Sequence, residues 1–209
     1  MRTITVKGVG SASTRPDHAE ITLSIEGRDN NYEKALEIAS TAVETMTEAL
    51  AKAGFDKKAL KTTDYSVNTD YRSVRDENGD YTREFNGYIC QYSLRLGVDP
   101  DSETLGRALG ALTSTEPKPE LSIRFTLKDP SAVKAELLRL AAQNAREKAE
   151  ILCAASGVKL GELISVSYDW ADINVVSECR VGVMMAEIAP IEPEDIHSSD
   201  SAQFVWEIV

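Results

Sequence analysis

Only two of the 209 residues are histidine, three are cysteine, and aromatics make up 6%. A His-dependent catalytic triad therefore has two starting points, His18 and His197. The cysteines, Cys90, Cys153 and Cys179, are odd in number and show no CxxC spacing, which argues against a disulfide framework and a thiolate zinc site. Positive charge is also short: 23 Lys and Arg against 34 Asp and Glu leave a net −11. That balance argues against nucleic acid and anionic membranes as partners. No stretch approaches the ~20 apolar residues that cross a bilayer, so no membrane insertion is expected. The opening MRTITVKGVG alternates and has neither the apolar run nor the cleavage site of a signal peptide. This predicts a cytoplasmic protein if Met1 is the native start, and a periplasmic or secreted one if a signal peptide has been removed.

What is present is ordinary globular composition, 42% hydrophobic and 27% charged. Charge is unevenly spread. Residues 160–209 hold ten acids and one base, Arg180, and so carry −9 of the −11. Such a region either attracts cations or a basic partner, or is a solvated face that keeps the chain soluble.

Period-two alternation predicts strands over 3–9 and over 19–26, the second with Ala19, Ile21, Leu23 and Ile25 on one face. Gly8, Gly10, Ser11 and Pro16 read as breakers between them. A helix follows, capped by Asn30 with Glu33 three residues on. Its apolar stripe is Leu36, Ala39, Val43, Met46, Leu50 and Ala53, and Gly54 stands at its C-cap. Residues 61–98 read as a long hairpin turning at Asn78-Gly79. Its return strand places Tyr88, Cys90, Tyr92, Leu94, Leu96 and Val98 on one face. A short helix with Leu105, Ala108, Leu109 and Leu112 precedes Pro117 and Pro119. A strand with Leu121, Ile123, Phe125 and Leu127 comes next.

Asp129-Pro130 then predicts a helix start, with Asp as N-cap. That helix is about 40 Å long and ends at Gly157. Its inner stripe reads Leu138, Ala141, Ala145, Ala149 and Leu152. A strand with Ile164, Val166, Tyr168 and Trp170 follows, and the chain closes with a strand over 203–209. Between them no period is sustained, and Pro190 and Pro193 bar a regular helix. Residues 173–197 therefore read as a strand plus loop, or as a protruding segment that packs only against another subunit. Its run 175–191 has no evident place in a monomer core.

The order β-β-α-β-β-α-β-α-β-loop-β predicts an α+β fold, a mainly antiparallel sheet with three helices packed against it. No Gly/Ser-rich linker interrupts it, so 1–209 reads as a single domain.

Ile4-x-Val6-x-Gly8-x-Gly10 followed by Pro16-Asp17-x-Ala19-x-Ile21 resembles the opening of the SIMPL-domain family. Leu50 to Gly54, Gly87-Tyr88, Phe125 before Asp129, Ala145-Arg146-x-Lys148-Ala149, Gly157, Leu160-Gly161 and Glu192-Pro193 follow in the family's order. The resemblance spans nearly the whole chain. It implies an α+β fold, homo-oligomers in some members, and no established enzymatic activity. The family includes periplasmic immunogenic proteins and a bacterial protein linked to oxidative-stress defence. The acidic stretch EPEDIHSSDSAQ departs from the family pattern.

Catalytic and cofactor residues are not expected. Gly8-Val9-Gly10 lacks the remaining elements of a phosphate loop, and its glycines read as turn residues. Asp17 and His18 are adjacent, which points them apart in a strand, and His18 reads as a surface residue. Asp195, His197 and Asp200 are the metal candidates, on an acidic Pro-led loop, though their spacing specifies no metal. Cys90 and Cys153 fall on apolar faces and read as packing residues. Cys179, next to Arg180, is the one candidate reactive thiol. The leading expectation is a non-enzymatic, self-assembling SIMPL-like protein with a stress role. The alternatives are a small-ligand binder or enzyme using a cleft beside the sheet, and a thiol-based redox sensor at Cys179.

Overall fold

The computed structural model describes residues 2–75, 80–169, 176–179 and 192–209, with the backbone alone for 176–179. In chain order the elements are β1 (Thr3–Thr14), β2 (His18–Asp29), α1 (Tyr32–Lys52), β3 (Leu60–Arg75) and β4 (Tyr81–Val98). They continue with α2 (Ser102–Thr113), β5 (Glu120–Thr126), α3 (Ser131–Ala155), β6 (Leu160–Ser167), β7 (Val176–Cys179) and β8 (Ile196–Ile208). The α+β class is that expected, and so is the element order except for β7, which stands where the expected order has a loop. Two sheets form where one was expected, with strand orders β1-β8-β6 and β3-β4-β2-β5-β7. The strand pairs β1–β8, β2–β4, β3–β4 and β6–β8 are antiparallel.

The chain folds as two compact units, each discontinuous. One comprises Met1–Asp17, Thr126–Ser177 and Pro193–Val209, and the other His18–Phe125 and Glu178–Glu192. The turn expected at Asn78-Gly79, and most of 173–197, lie outside the described residues.

In the first unit α3 lies on β1 and β8. Gly8 and Gly10 are not turn residues: both sit inside β1 with negative φ, on the face toward α3. A Cβ on Gly10 would stand 1.9 Å from the Leu137 carbonyl oxygen. The glycines thus bring a helix backbone onto a strand backbone. Val6, Ala145, Ala149, Ala202, Phe204 and Trp206 form the core beside that contact. The Phe204 and Trp206 rings stack at 5.5 Å.

The buried row of α3 is Leu137, Ala141, Ala145, Ala149 and Cys153. Leu138 and Leu152, expected on that stripe, are exposed at 37% and 50%. The contact follows a strict four-residue row, one of the natural ridges of a helix. The N-cap of α3 is Pro130 rather than Asp129, whose carboxylate instead accepts from the Ser131 amide. β6 also departs from expectation. It is an edge strand with two irregularities in its pairing, and Leu163, Ile164 and Val166 are exposed. β8 begins at Ile196 rather than near 203, so the acidic SSDSAQ run is strand.

In the second unit β2 supplies Ala19, Ile21, Leu23 and Ile25 to a core shared with Met46 and Leu50 of α1 and the apolar faces of β4, α2 and β5. All four expected apolar residues of α2 are buried. The α1 cap is Asn31 rather than Asn30, its side chain accepting from the Lys34 amide. Gly54 at its C-terminal end has φ +91°, as a left-handed cap requires.

Candidate functional site

The far ends of β1 and β8 form a shallow groove of about 330 Å³ lined by Ser11, Ala12, Ser13, His197, Ser198 and Ser199. Antiparallel pairing sets Ser13 opposite His197 and Ser11 opposite Ser199. These four side chains share the face away from α3. Asp195 reaches the same place, accepting a hydrogen bond from Ser13 Oγ at 3.2 Å.

Alternation separates the three metal candidates. His197 lines the groove and Asp195 bonds to Ser13 beside it, while Asp200 is buried on the opposite face. There its carboxylate accepts from Tyr168 Oη at 2.8 Å and from the Ser201 amide at 2.7 Å. The hydrogen bond to Asp200, then burial, raises the Tyr168 phenol above its ordinary pKa. Among the described residues no three His, Cys, Asp or Glu side chains converge as metal ligands would.

His18 opens β2 and is half-buried, where a surface residue was expected. Its ring lies over Gly97, where a Cβ would meet Cε1 and Nε2 at 2.9 Å. Its Nδ1 is buried with no hydrogen-bond partner among the described residues. Asp17 turns elsewhere and accepts from the Lys128 amide. Cys90 and Cys153 are buried, and burial pushes the Cys90 thiol up. The Cys179 backbone lies in β7, and its side chain falls outside the described residues.

The feature that sequence patterning did not isolate is an aromatic face on the β3–β4 hairpin. β2 pairs with β4 only as far as Tyr88, opposite Asp29. Beyond it, residues 70–75 and 81–87 continue as a two-stranded arm. Tyr71 pairs with Phe85 and Arg75 with Tyr81 on one face. Ring contacts run from Tyr32 of α1 to Tyr88 at 5.4 Å, on to Phe85 at 5.3 Å, and on to Tyr71 at 6.1 Å. The Arg83 guanidinium stands 5.4 Å over the Tyr71 ring. Closer to the core, Tyr65 meets Tyr92 at 4.7 Å.

The reverse face is ionic and polar. Arg72 pairs with Glu84 at 2.8 Å, and the Asn86 amide donates to Asp70 at 2.6 Å. Phe85 escapes a period-two reading because the register shifts between Asp70 and Tyr71. That irregularity brings odd-numbered Phe85 onto the face of even-numbered Tyr88. The signal in the sequence is Gly87, whose φ of +116° suits glycine.

No helix among the described residues is long and apolar enough to cross a membrane. Two curated relatives are 26 kDa periplasmic immunogenic proteins, one of Brucella melitensis biotype 1 and one of Brucella abortus (strain S19). Each is 27% identical over 164 residues. The alignment covers 78% of this chain but only 65% of each relative. These relatives lend no support to a cytoplasmic location read from Met1. A hydrolase from Listeria innocua of known crystal structure aligns over 96% of this chain at 10% identity, with a TM-score of 0.16 that carries no argument. The match that decides the matter runs from residue 4 to residue 206: the chain belongs to the SIMPL family, described as a protein of unknown function (DUF541).

Proposed function

We propose that this protein is a non-enzymatic, self-assembling SIMPL protein of the bacterial periplasm that serves in the stress response. The observation that carries the assembly is the aromatic face of the β3–β4 arm. Tyr71, Tyr81 and Phe85 are exposed there, and a two-stranded ribbon is marginal in water without cover. The uncovered apolar residues of edge strand β6 add to the case, because open apolar edges invite pairing. The periplasmic assignment rests on the names of the Brucella relatives, and the stress role on the family resemblance alone. Light-scattering mass across a range of protein concentrations tests the assembly. Survival of a deletion strain under peroxide, with and without the restored gene, tests the stress role.

A second reading is supported by the groove at Ser11, Ser13, His197 and Ser199. It is a cleft beside the sheet with hydroxyls and one imidazole on its lining, suited to a small polar ligand. Titration of His197 followed by NMR, with and without candidate polyols and carboxylates, tests this reading. A ligand-dependent change in His197 supports it.

A further inference from the structure

We propose that Asn86 is a site of spontaneous deamidation and that its conversion loosens the β3–β4 arm. The sequence holds two Asn-Gly pairs, Asn78-Gly79 and Asn86-Gly87, and the first lies outside the described residues. Glycine after asparagine matters because the next backbone nitrogen attacks the side-chain carbonyl carbon. Any side chain on that next residue crowds the attack.

At Asn86 the fold keeps both members of the pair in place. Gly87 has φ +116°, and a Cβ there would stand 2.8 Å from the Asp29 carbonyl oxygen. A bulkier residue that could shield the nitrogen is therefore strained at this position. Asn86 serves as a donor: its amide donates to Asp70 Oδ2 at 2.6 Å. An aspartate in its place would offer that carboxylate only another acceptor. Asn86 is also exposed to water. Pairing passes from Gly87 opposite Asp70 to Phe85 opposite Tyr71, which leaves Asn86 as the extra residue of a bulge, outside the regular register.

The Gly87 backbone nitrogen gives up its proton and bonds to Asn86 Cγ. The bond from Cγ to the side-chain nitrogen breaks, and that nitrogen leaves with the proton as ammonia. Water then opens the cyclic imide at either carbonyl, to aspartate or to isoaspartate, with no change of oxidation state. Either product puts a carboxylate against Asp70 where a donor stood, and like charges facing across a strand pair destabilise it. The isoaspartyl product also adds a carbon to the backbone. The Arg28 guanidinium lies within electrostatic reach of Asp70, but Glu26 already holds it at 2.6 Å. The damage falls at the root of the arm, just past the last β2 pairing at Tyr88, where a two-stranded ribbon is marginal.

The test ages the full chain in mildly alkaline buffer, which speeds loss of the Gly87 amide proton, and maps it by trypsin and mass spectrometry. Cleavage after Arg75, Arg83 and Arg95 puts Asn78 in residues 76–83 and Asn86 in residues 84–95, so the two pairs are read separately. Residues 84–95 should gain the mass difference between an amide and an acid. Fragmentation should place it at Asn86 and not at Gln91, in two separable products. Asn86→Gln keeps a donor and should leave the peptide unconverted. Native hydrogen exchange reads the arm. Amides of 70–75 and 81–85 should exchange about tenfold or more faster in the aged chain and in Asn86→Asp than in the fresh parent, while those of β2 keep the parent rate.

Residues 84–95 left unconverted, whether or not 76–83 convert, overturn Asn86 as the site. Arm exchange at the parent rate in Asn86→Asp and in the converted chain overturns the loosening.

Discussion

A methyl group on Gly8 would stand 1.9 Å from the carbonyl oxygen of Ala141, with the Ala145 methyl 2.7 Å away. No rotamer relieves a clash with backbone, so strand and helix must separate. Gly8→Ala and Gly10→Ala should therefore each destabilise by about 1–3 kcal/mol or more. Gly106→Ala is the contrast. Nothing lies within 4 Å of a Cβ there, and the site is inside α2. That change should stabilise by about 0.5–1 kcal/mol. Urea melts of the three variants measure both signs.

Ala145→Leu should destabilise by about 1–3 kcal/mol, because Ala145 is fully buried against β1. Lys148→Gln, on the exposed side, should stay within about 0.5 kcal/mol of the parent. Equal melting of both variants would contradict the orientation of α3.

The sequence made legible what depends on period. The buried row of β2, the apolar face of α2 and the Ala141–Ala145–Ala149 row are visible as spacings. What it hid depends on partners distant in the chain. Gly8 and Gly10 look like breakers until a helix some 130 residues later fills the space they leave. Leu137 replaces Leu138 on the α3 row because the strand beneath follows a four-residue ridge. The SSDSAQ run looks like loop because five of its six residues are polar. It becomes strand by pairing with β1, which buries Ser198 and Asp200. Strand alternation sends His197 and Asp200 to opposite faces of β8.

Alkaline pH should weaken the fold. Burial raises the Cys90 thiol, and the hydrogen bond to Asp200 raises Tyr168. Unfolded thiols and phenols lose their protons near about pH 8.5 and 10. Over that range the unfolded chain binds fewer protons than the fold, so stability falls as pH rises. It is full below the unfolded values and is lost toward the raised native ones. The urea midpoint should drop between neutral pH and about pH 10, and less steeply in Tyr168→Phe. A flat profile would contradict these assignments.

The acid side has the opposite sign. The Thr104 amide holds the Asp101 carboxyl below its ordinary range, and the Ser131 hydrogen bonds hold Asp129 there. Their stabilisation is present above the ordinary aspartate value and is lost as pH falls through the lowered native one. Asp101→Asn keeps a capping acceptor and should flatten part of this acid dependence. The urea midpoint followed down to acid pH, in parent and variant, reads it.

Cys90→Ser places a hydroxyl in a fully buried apolar site and should destabilise by about 1–3 kcal/mol. In the folded parent the Cys90 thiol should resist alkylation until urea unfolds it. Mass spectrometry of the labelled chain, peptide by peptide, shows which cysteines react. Rapid native labelling of Cys90 would contradict its burial.

We expect this acidic chain to assemble with itself. Light-scattering mass measured from dilute to concentrated solution tests it most directly. Self-assembly predicts a mass above the 22.9 kDa of one chain that rises with concentration. A mass fixed at 22.9 kDa throughout would contradict it.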